Sequence, residues 1–328
     1  VRTKYPESAA DWADSYSIPI NGGLLAPMQD APGALAAADV ISGRDLDADG
    51  VTFGVAGEGG RTAVSFDAIT AALICNDAAF GDPSEGPIWV WARLWIPEST
   101  SVKALYGKLG ADPRWYVNAN YNTETVGILI DDAVAAETAT IGHLPDIVGQ
   151  WLDVIAVVNR DAERITIATP FGRTTATFGS ADGDLLSPIH AFAVGGQGGQ
   201  APVGLLCGYL AHGTGHALTL AEEQEIFRGP GPAVSNVLAP GEITRTTPLV
   251  FDVTDGEGLR RVLPSILFPG RPPELAHDGE AFTVGYVDDS TRTAITGGWR
   301  YSLLRRGGWP APPTLRVYAL DTHGNEAP

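Results

Sequence analysis

From Val51 onward the chain breaks into short runs of Val, Ile, Thr and aromatic residues, each closed by Gly, Pro, Asn or Asp, and the rhythm ends in a single helix signal. Runs of that length between turn formers are strands, and strands with an apolar face must stack as sheets. They fall at 51–55, 62–66, 71–75, 88–96, 102–108, 115–121, 126–130, 151–158, 164–168, 191–194 and 204–211. The helix signal follows at 216–227. There Thr219 is the N-cap, Glu222 stands at the capping-box position, and Gly229-Pro230 stops the helix. Leu218 and Glu223 occupy the staple positions, although only Leu218 is apolar. Forty glycines and 24 prolines agree with turns and strands, so the fold class is all-β.

Residues 1–45 read as an extended arm, interrupted by Pro6, Pro19, Pro27 and Pro32, with Ala34 to Ala38 as its helix-friendly piece. Such an arm needs a surface, either a neighbouring molecule or the edge of its own sandwich. Residues 46–229 form the first β-domain. Pro230-Gly231-Pro232 and Ala239-Pro240-Gly241 bracket a linker at 230–241. In 242–328, Leu249, Phe251 and Val253 alternate with Val250 and Asp252, and further strands are expected at 262–268, 282–286, 299–304 and 315–320. Even spacing of short strands suggests an Ig-like β-sandwich of immunoglobulin or fibronectin type III kind.

Charge narrows the partners. The net charge is −18, and residues 1–239 carry 12 Arg and Lys against 28 Asp and Glu. An acidic surface repels phosphate backbones, so nucleic acid is not an expected partner. No run approaches the ~18 apolar residues of a membrane span, so no membrane insertion is expected. Residues 1–7 lack a hydrophobic signal core, which leaves a cytosolic protein, a processed one, or one carried outside by assembly into a particle. Cys75 and Cys207 both lie in apolar strand-like stretches and read as buried thiols, with a disulfide as the alternative.

The segments Ala63–Asp67, Ile88–Trp95, Gly149–Ala156, Ala193–Gly196 and Gly208–Leu210, followed by the closing helix, resemble in order the laminin-G-like branch of the concanavalin-type jelly rolls. The resemblance covers about residues 46–228. It implies a concanavalin-like jelly-roll sandwich with one short closing helix. Glycan-cleaving members of that fold carry Glu-x-Asp-x-Glu-like carboxylates on one strand, and no strand here has that spacing. The expectation is therefore not an enzyme.

Three sets of residues are candidate sites. Alternation puts Trp89, Trp91, Arg93 and Trp95 on one face of the 88–96 strand, and Tyr116, Asn118, Asn120 and Asn122 on one face of the next aromatic strand. Rings with amide donors and acceptors are what sugar recognition uses, so Trp89, Trp91, Trp95, Tyr116, Asn118 and Asn120 are the glycan candidates. Asp45, Asp47 and Asp49 before Gly50 place carboxylates as a calcium loop does, although Ala56 at the twelfth position removes the bidentate ligand. Calcium is the candidate cofactor. In the second module Arg305, Arg306 and Trp309 put two cations beside an aromatic, which suits protein contact. His212 and His216 stand four apart but are separated by glycines, a loop rather than a metal-binding helix.

Two β-modules, a proline-broken arm and no catalytic set look like a bacteriophage virion structural protein, such as a head decoration, collar, or tail or fibre component. That reading expects assembly in the host cytoplasm, display on the virion surface, multi-copy or homo-oligomeric packing with other virion proteins, and weak binding of a host surface glycan. A secreted carbohydrate-binding adhesin or a glycan-active enzyme module is the alternative.

Overall fold

A computed structural model describes residues 4–178 apart from 21, 78, 84–85, 99–101, 110–113, 121–122, 132–134, 143 and 145–146. It further describes 191–196, 202–229, 233–235, 249–254, 259–267, 274–275, 289–295, 298–304 and 314–321. The chain divides into two units: Glu7–Ala9 with Ser17–Phe227, and Val1–Pro6 with Ala10–Tyr16 and Arg228–Pro328.

The larger unit is a sandwich of two antiparallel sheets. The first runs β14 (Gly172–Thr177), β13 (Arg164–Thr169), β12 (Gln150–Asn159), β7 (Ile88–Ile96), β16 (Leu205–Thr214), β5 (Thr62–Phe66) and β4 (Val51–Ala56), with β1 (Leu24–Ala26) also on β16. The second runs β11 (Ala136–Ile141), β10 (Thr125–Asp131), β9 (Arg114–Asn120), β8 (Val102–Lys108), β15 (Phe192–Gly195), β6 (Ala72–Cys75), β3 (Leu46–Asp49) and β2 (Ala36–Ala37). Period-two alternation builds the core between them. Ile88, Val90, Ala92, Leu94 and Ile96 of β7 join Trp115, Val117 and Ala119 of β9 and Val126, Ile128 and Ile130 of β10 in one buried cluster.

Helix α2 (Leu220–Arg228) closes this unit, and its capping box forms as the spacing predicts. Glu222 accepts from the Thr219 N–H at 2.7 Å, and the Glu222 N–H donates to the Thr219 hydroxyl at 3.3 Å. Glu223, at the polar staple position, is buried and accepts from Arg173 of β14 at 2.7 Å. That pair lays the helix against the outer face of the first sheet. Gly229 ends the helix with φ +78°, a conformation in which L side chains are strained.

Several expectations change. Part of the arm is sandwich: β1 pairs with β16 through Leu24↔His212, and Leu24, Leu25, Ala26 and Met28 are buried. Ala36–Ala37 is a strand rather than helix-friendly, because pairing with Leu46 and Asp47 supplies its hydrogen bonds. A helix beyond the one expected, α1 (Ala9–Ser15), also forms, with Trp12 buried. Strands β11 and β14 carry no strong strand pattern, because AETATI and GRTTAT are rich in small Ala and Thr residues and Ile141 is their one large apolar side chain. Cys75 and Cys207 are free and buried. No described helix is long and apolar enough to cross a membrane.

In the smaller unit, a four-stranded sheet runs β17 (Ala233–Ser235), β18 (Leu249–Thr254), β22 (Gly298–Leu304) and β21 (Asp289–Ile295). A three-stranded sheet runs β20 (Glu274–Leu275), β19 (Leu259–Leu267) and β23 (Thr314–Asp321). Both described sheets are antiparallel, as in immunoglobulin-type sandwiches. Phe251 and Tyr301 stack at 5.1 Å across β18 and β22, and Arg300 holds Asp252 through two bonds of 2.7 and 2.8 Å. The strand expected at 282–286 lies outside the described residues.

Candidate functional site

The six glycan candidates do not come together. Trp89, Trp91 and Trp95 point outward from the first sheet, whereas Tyr116, Asn118 and Asn120 point outward from the second, on the opposite side of the sandwich. Burial then separates them further.

Trp89 and Trp91 are 0% exposed and belong to the structure. Gly213 sits opposite Trp89 in the ladder, where a Cβ would lie 2.4 Å from the indole, so the ring rests on bare backbone. Trp91 packs against Tyr209 at 4.8 Å and donates its indole N–H to Asp153 at 3.0 Å. Neither ring offers a face to a sugar. Trp95 is half-buried in an edge-to-face pair with Trp151 at 6.1 Å. Arg93, between them, bridges Asp153 at 3.0 Å and Glu58 at 2.6 Å.

On the second sheet Tyr116, Asn118 and Asn120 share one face, while Asn122 lies outside the described residues. Arg114, Tyr116, Asn118 and Asn120 are half-buried while Trp115, Val117 and Ala119 fill the core, so β9 presents one polar-aromatic face. Register decides what surrounds each group. Tyr116 lies between Gly107 of β8 and Leu129 of β10, and Asn118 lies beside Gly127 of β10 and, one strand further, Thr140 of β11. A Cβ on Gly107 would sit 2.6 Å from the Tyr116 Cα, and one on Gly127 would sit 3.0 Å from the Thr140 hydroxyl. Gly107, at φ +143°, lets the Tyr116 backbone approach closely, and Gly127 lets the Thr140 hydroxyl lie close beside Asn118.

Arg114 fixes the upper end of this face. It pairs with Asp131 of β10 at 3.2 Å and stands 5.7 Å from the Tyr116 ring centroid. The Tyr116 hydroxyl and the Asn118 carboxamide make no hydrogen bond among the described residues. An aromatic plane next to an unengaged amide can stack an apolar face and bond adjacent hydroxyls. Gly107, Gly127, Leu129 and Thr140 were not legible as site residues, because they join Tyr116 and Asn118 only through cross-strand register.

The other candidates resolve differently. Asp47 and Asp49 lie within β3, with Asp45 just before it, rather than around a loop, and the extended strand spaces alternate carboxylates by about 6.7 Å. Asp45 accepts the Asp39 N–H at 2.9 Å and Asp47 accepts from Asn76 at 2.6 Å. Among the described residues no three metal-ligating groups converge, there or elsewhere. Arg305, Arg306 and Trp309 lie outside the described residues. His216 pairs with Glu222 at 2.8 Å, while His212 is in β16 and not in a loop. His212 lies 4.2 Å from Phe80 between ring centroids, and burial, helped by Arg44, pushes its imidazole down to about 3.

The fold and this face define an all-β, two-sheet jelly-roll-like module with an open polar-aromatic sheet, followed by a smaller β-sandwich. No protein-family model and no curated protein sequence matches the chain. Among solved structures, Trypanosoma rangeli sialidase in complex with the inhibitor DANA is similar at 13% identity and TM-score 0.44, over 64% of this chain and 33% of its own. The Ruminococcus gnavus IT-sialidase CBM40 bound to alpha2,3 sialyllactose is similar at 9% identity and TM-score 0.35, over 42% of this chain and 80% of its own. The botulinum neurotoxin serotype D binding domain is similar at 10% identity and TM-score 0.42, over 91% and 81%. The chain spans 33% of the length of the sialidase structure it matches. These are likenesses of shape; what the open face can bind is set by its own side chains.

Proposed function

We propose that the protein is a non-enzymatic glycan-binding module whose contact surface is the open face of the second sheet. The observation that carries this reading is the pairing of each recognition group with a glycine: Tyr116 with Gly107, and Asn118 with Gly127. A pyranose has an apolar C–H face and a rim of hydroxyls. The half-buried tyrosine ring suits the first, and the Asn118 carboxamide, which makes no hydrogen bond among the described residues, suits the second. The carboxylate on β10, Asp131, is engaged by Arg114 at one end of this face.

The finer reading is display of this module on a phage-type virion, in many copies, after assembly in the host cytoplasm. It is supported by the tandem β-modules and by the net charge of −18, which keeps particles apart, while repetition turns weak binding into avidity. Immunogold labelling of purified particles tests the display, and unlabelled particles overturn it.

Glycan binding is tested by presenting the full chain to an array of neutral oligosaccharides. Binding that falls at least tenfold in Tyr116→Ala and Asn118→Ala is expected. Binding to none, or binding that ignores both substitutions, overturns the reading.

A further inference from the structure

A groove of about 540 Å3 lies on the opposite side of the sandwich, on the outer face of β12, β13 and β14. Its floor is set by register: Asn159, Arg164 and Thr177 form one row across the three strands, and Val157, Thr166 and Thr175 form the next. The segment Ala217–Thr219, which leads into α2, walls one side. The volume falls in the usual small-ligand range of roughly 300–1,000 Å3.

Its electrostatics run against the rest of the chain. Arg164 and Arg173 line it, and no carboxylate is among its described lining residues, in a protein of net charge −18. The two cations are not equivalent. Arg173 is held by Glu223 at 2.7 Å and by the Thr175 hydroxyl at 2.9 Å. Arg164 is exposed and makes no ion pair or side-chain hydrogen bond among the described residues. Beside it the Thr166 and Thr175 hydroxyls meet at 3.0 Å, and Asn159 spends its oxygen on the Ala162 N–H, leaving its NH2 as a donor.

We infer that this groove is a second binding site, for a small carboxylated sugar, with Arg164 taking the carboxylate. A planar guanidinium offers two parallel N–H groups that match a carboxylate. The threonine hydroxyls and the Asn159 amide offer both donors and acceptors to ring hydroxyls, while Val157, Ala217 and Leu218 give the ring an apolar side. A polyanion is disfavoured, because the chain's net charge of −18 repels extended negative charge. This site is independent of the Tyr116 face.

The test is isothermal titration of the full chain with sodium glucuronate, glucose and inorganic phosphate. Saturable glucuronate binding is expected, weakened by added salt, weakened at least tenfold by Arg164→Gln, less so by Arg164→Lys, and unchanged by Tyr116→Ala. A thermal melt of each variant checks folding, and Arg164 is exposed enough for both substitutions to leave it intact. Glucose binding as tightly as glucuronate, phosphate binding as tightly as glucuronate, or Arg164→Gln binding like the parent overturns the assignment. Loss of glucuronate binding in Tyr116→Ala, with Arg164→Gln unaffected, places the anion on the other face and also overturns it.

Discussion

Arg93 and Asp153 face each other across the β7–β12 ladder with 3.0 Å between nitrogen and oxygen, and the second Asp153 oxygen takes the Trp91 indole N–H at 3.0 Å. The carboxylate is almost wholly buried, with a side-chain exposure of 1%, and both of its oxygens are engaged. Removing it takes from Arg93 one of its two carboxylate partners and from the Trp91 indole a buried acceptor. Asp153→Ala is expected to cost about 3–5 kcal/mol, and Asp153→Asn less, because the amide keeps the volume and one acceptor. Urea unfolding measures both; equal stability of parent and Asp153→Ala rejects the account.

The tryptophans and the tyrosine predict opposite phenotypes. Trp91 is fully buried against Tyr209, so Trp91→Ala is expected to destabilise by about 3–5 kcal/mol. Tyr116→Ala, on a half-buried outward position, is expected to stay within about 1 kcal/mol of the parent. Paired denaturation curves show whether stability and ligand contact separate in this way.

His212 makes stability pH-dependent on the acid side. Burial holds its imidazole at about 3 in the folded chain against an ordinary value of 6.5, so the unfolded chain binds the extra proton first. The stabilisation is complete above pH 6.5 and is lost as pH falls toward 3, at about 1.4 kcal/mol per pH unit for this one group. His212→Phe, which keeps a ring beside Phe80 and Phe192, is expected to flatten that part of the curve. An unchanged slope between pH 6.5 and 4 in the variant contradicts it.

Cys207 is expected to be inert. Its thiol is wholly buried and pushed up to about 12, so almost no thiolate exists near neutrality. Cys75 is raised as well, chiefly by burial. A thiol-reactive chromophore should label neither residue in the native chain and both in urea. Fast native labelling would place one of them at the surface.

The capping box gives a small, clean test. Thr219 both accepts from Glu222 and is held by it, so Thr219→Ala is expected to cost about 1 kcal/mol and Thr219→Ser little. Chemical denaturation with far-ultraviolet detection reads the difference.

Local chemistry made much of this legible. The strands at 62–66, 88–96 and 102–108 coincide with β5, β7 and β8, and Thr219 and Glu222 announce the one helix with a complete start signal. The faces of β9 were also readable, because a strand alternates every two residues whatever lies beside it. What alternation could not say was which partner each face meets. Both faces of β7 are apolar, so only the sandwich decided that Trp89 and Trp91 would be buried against β16 and β12 rather than offered to a ligand. Asp45, Asp47 and Asp49 looked like a loop until β3 found β2 and β6 as neighbours. Gly107 and Gly127 became part of the Tyr116 face, and Arg164 part of a groove with Ala217–Thr219, through pairings between residues far apart in sequence. Periodicity is a property of the backbone and is written locally; register and burial are settled only when distant strands close into sheets.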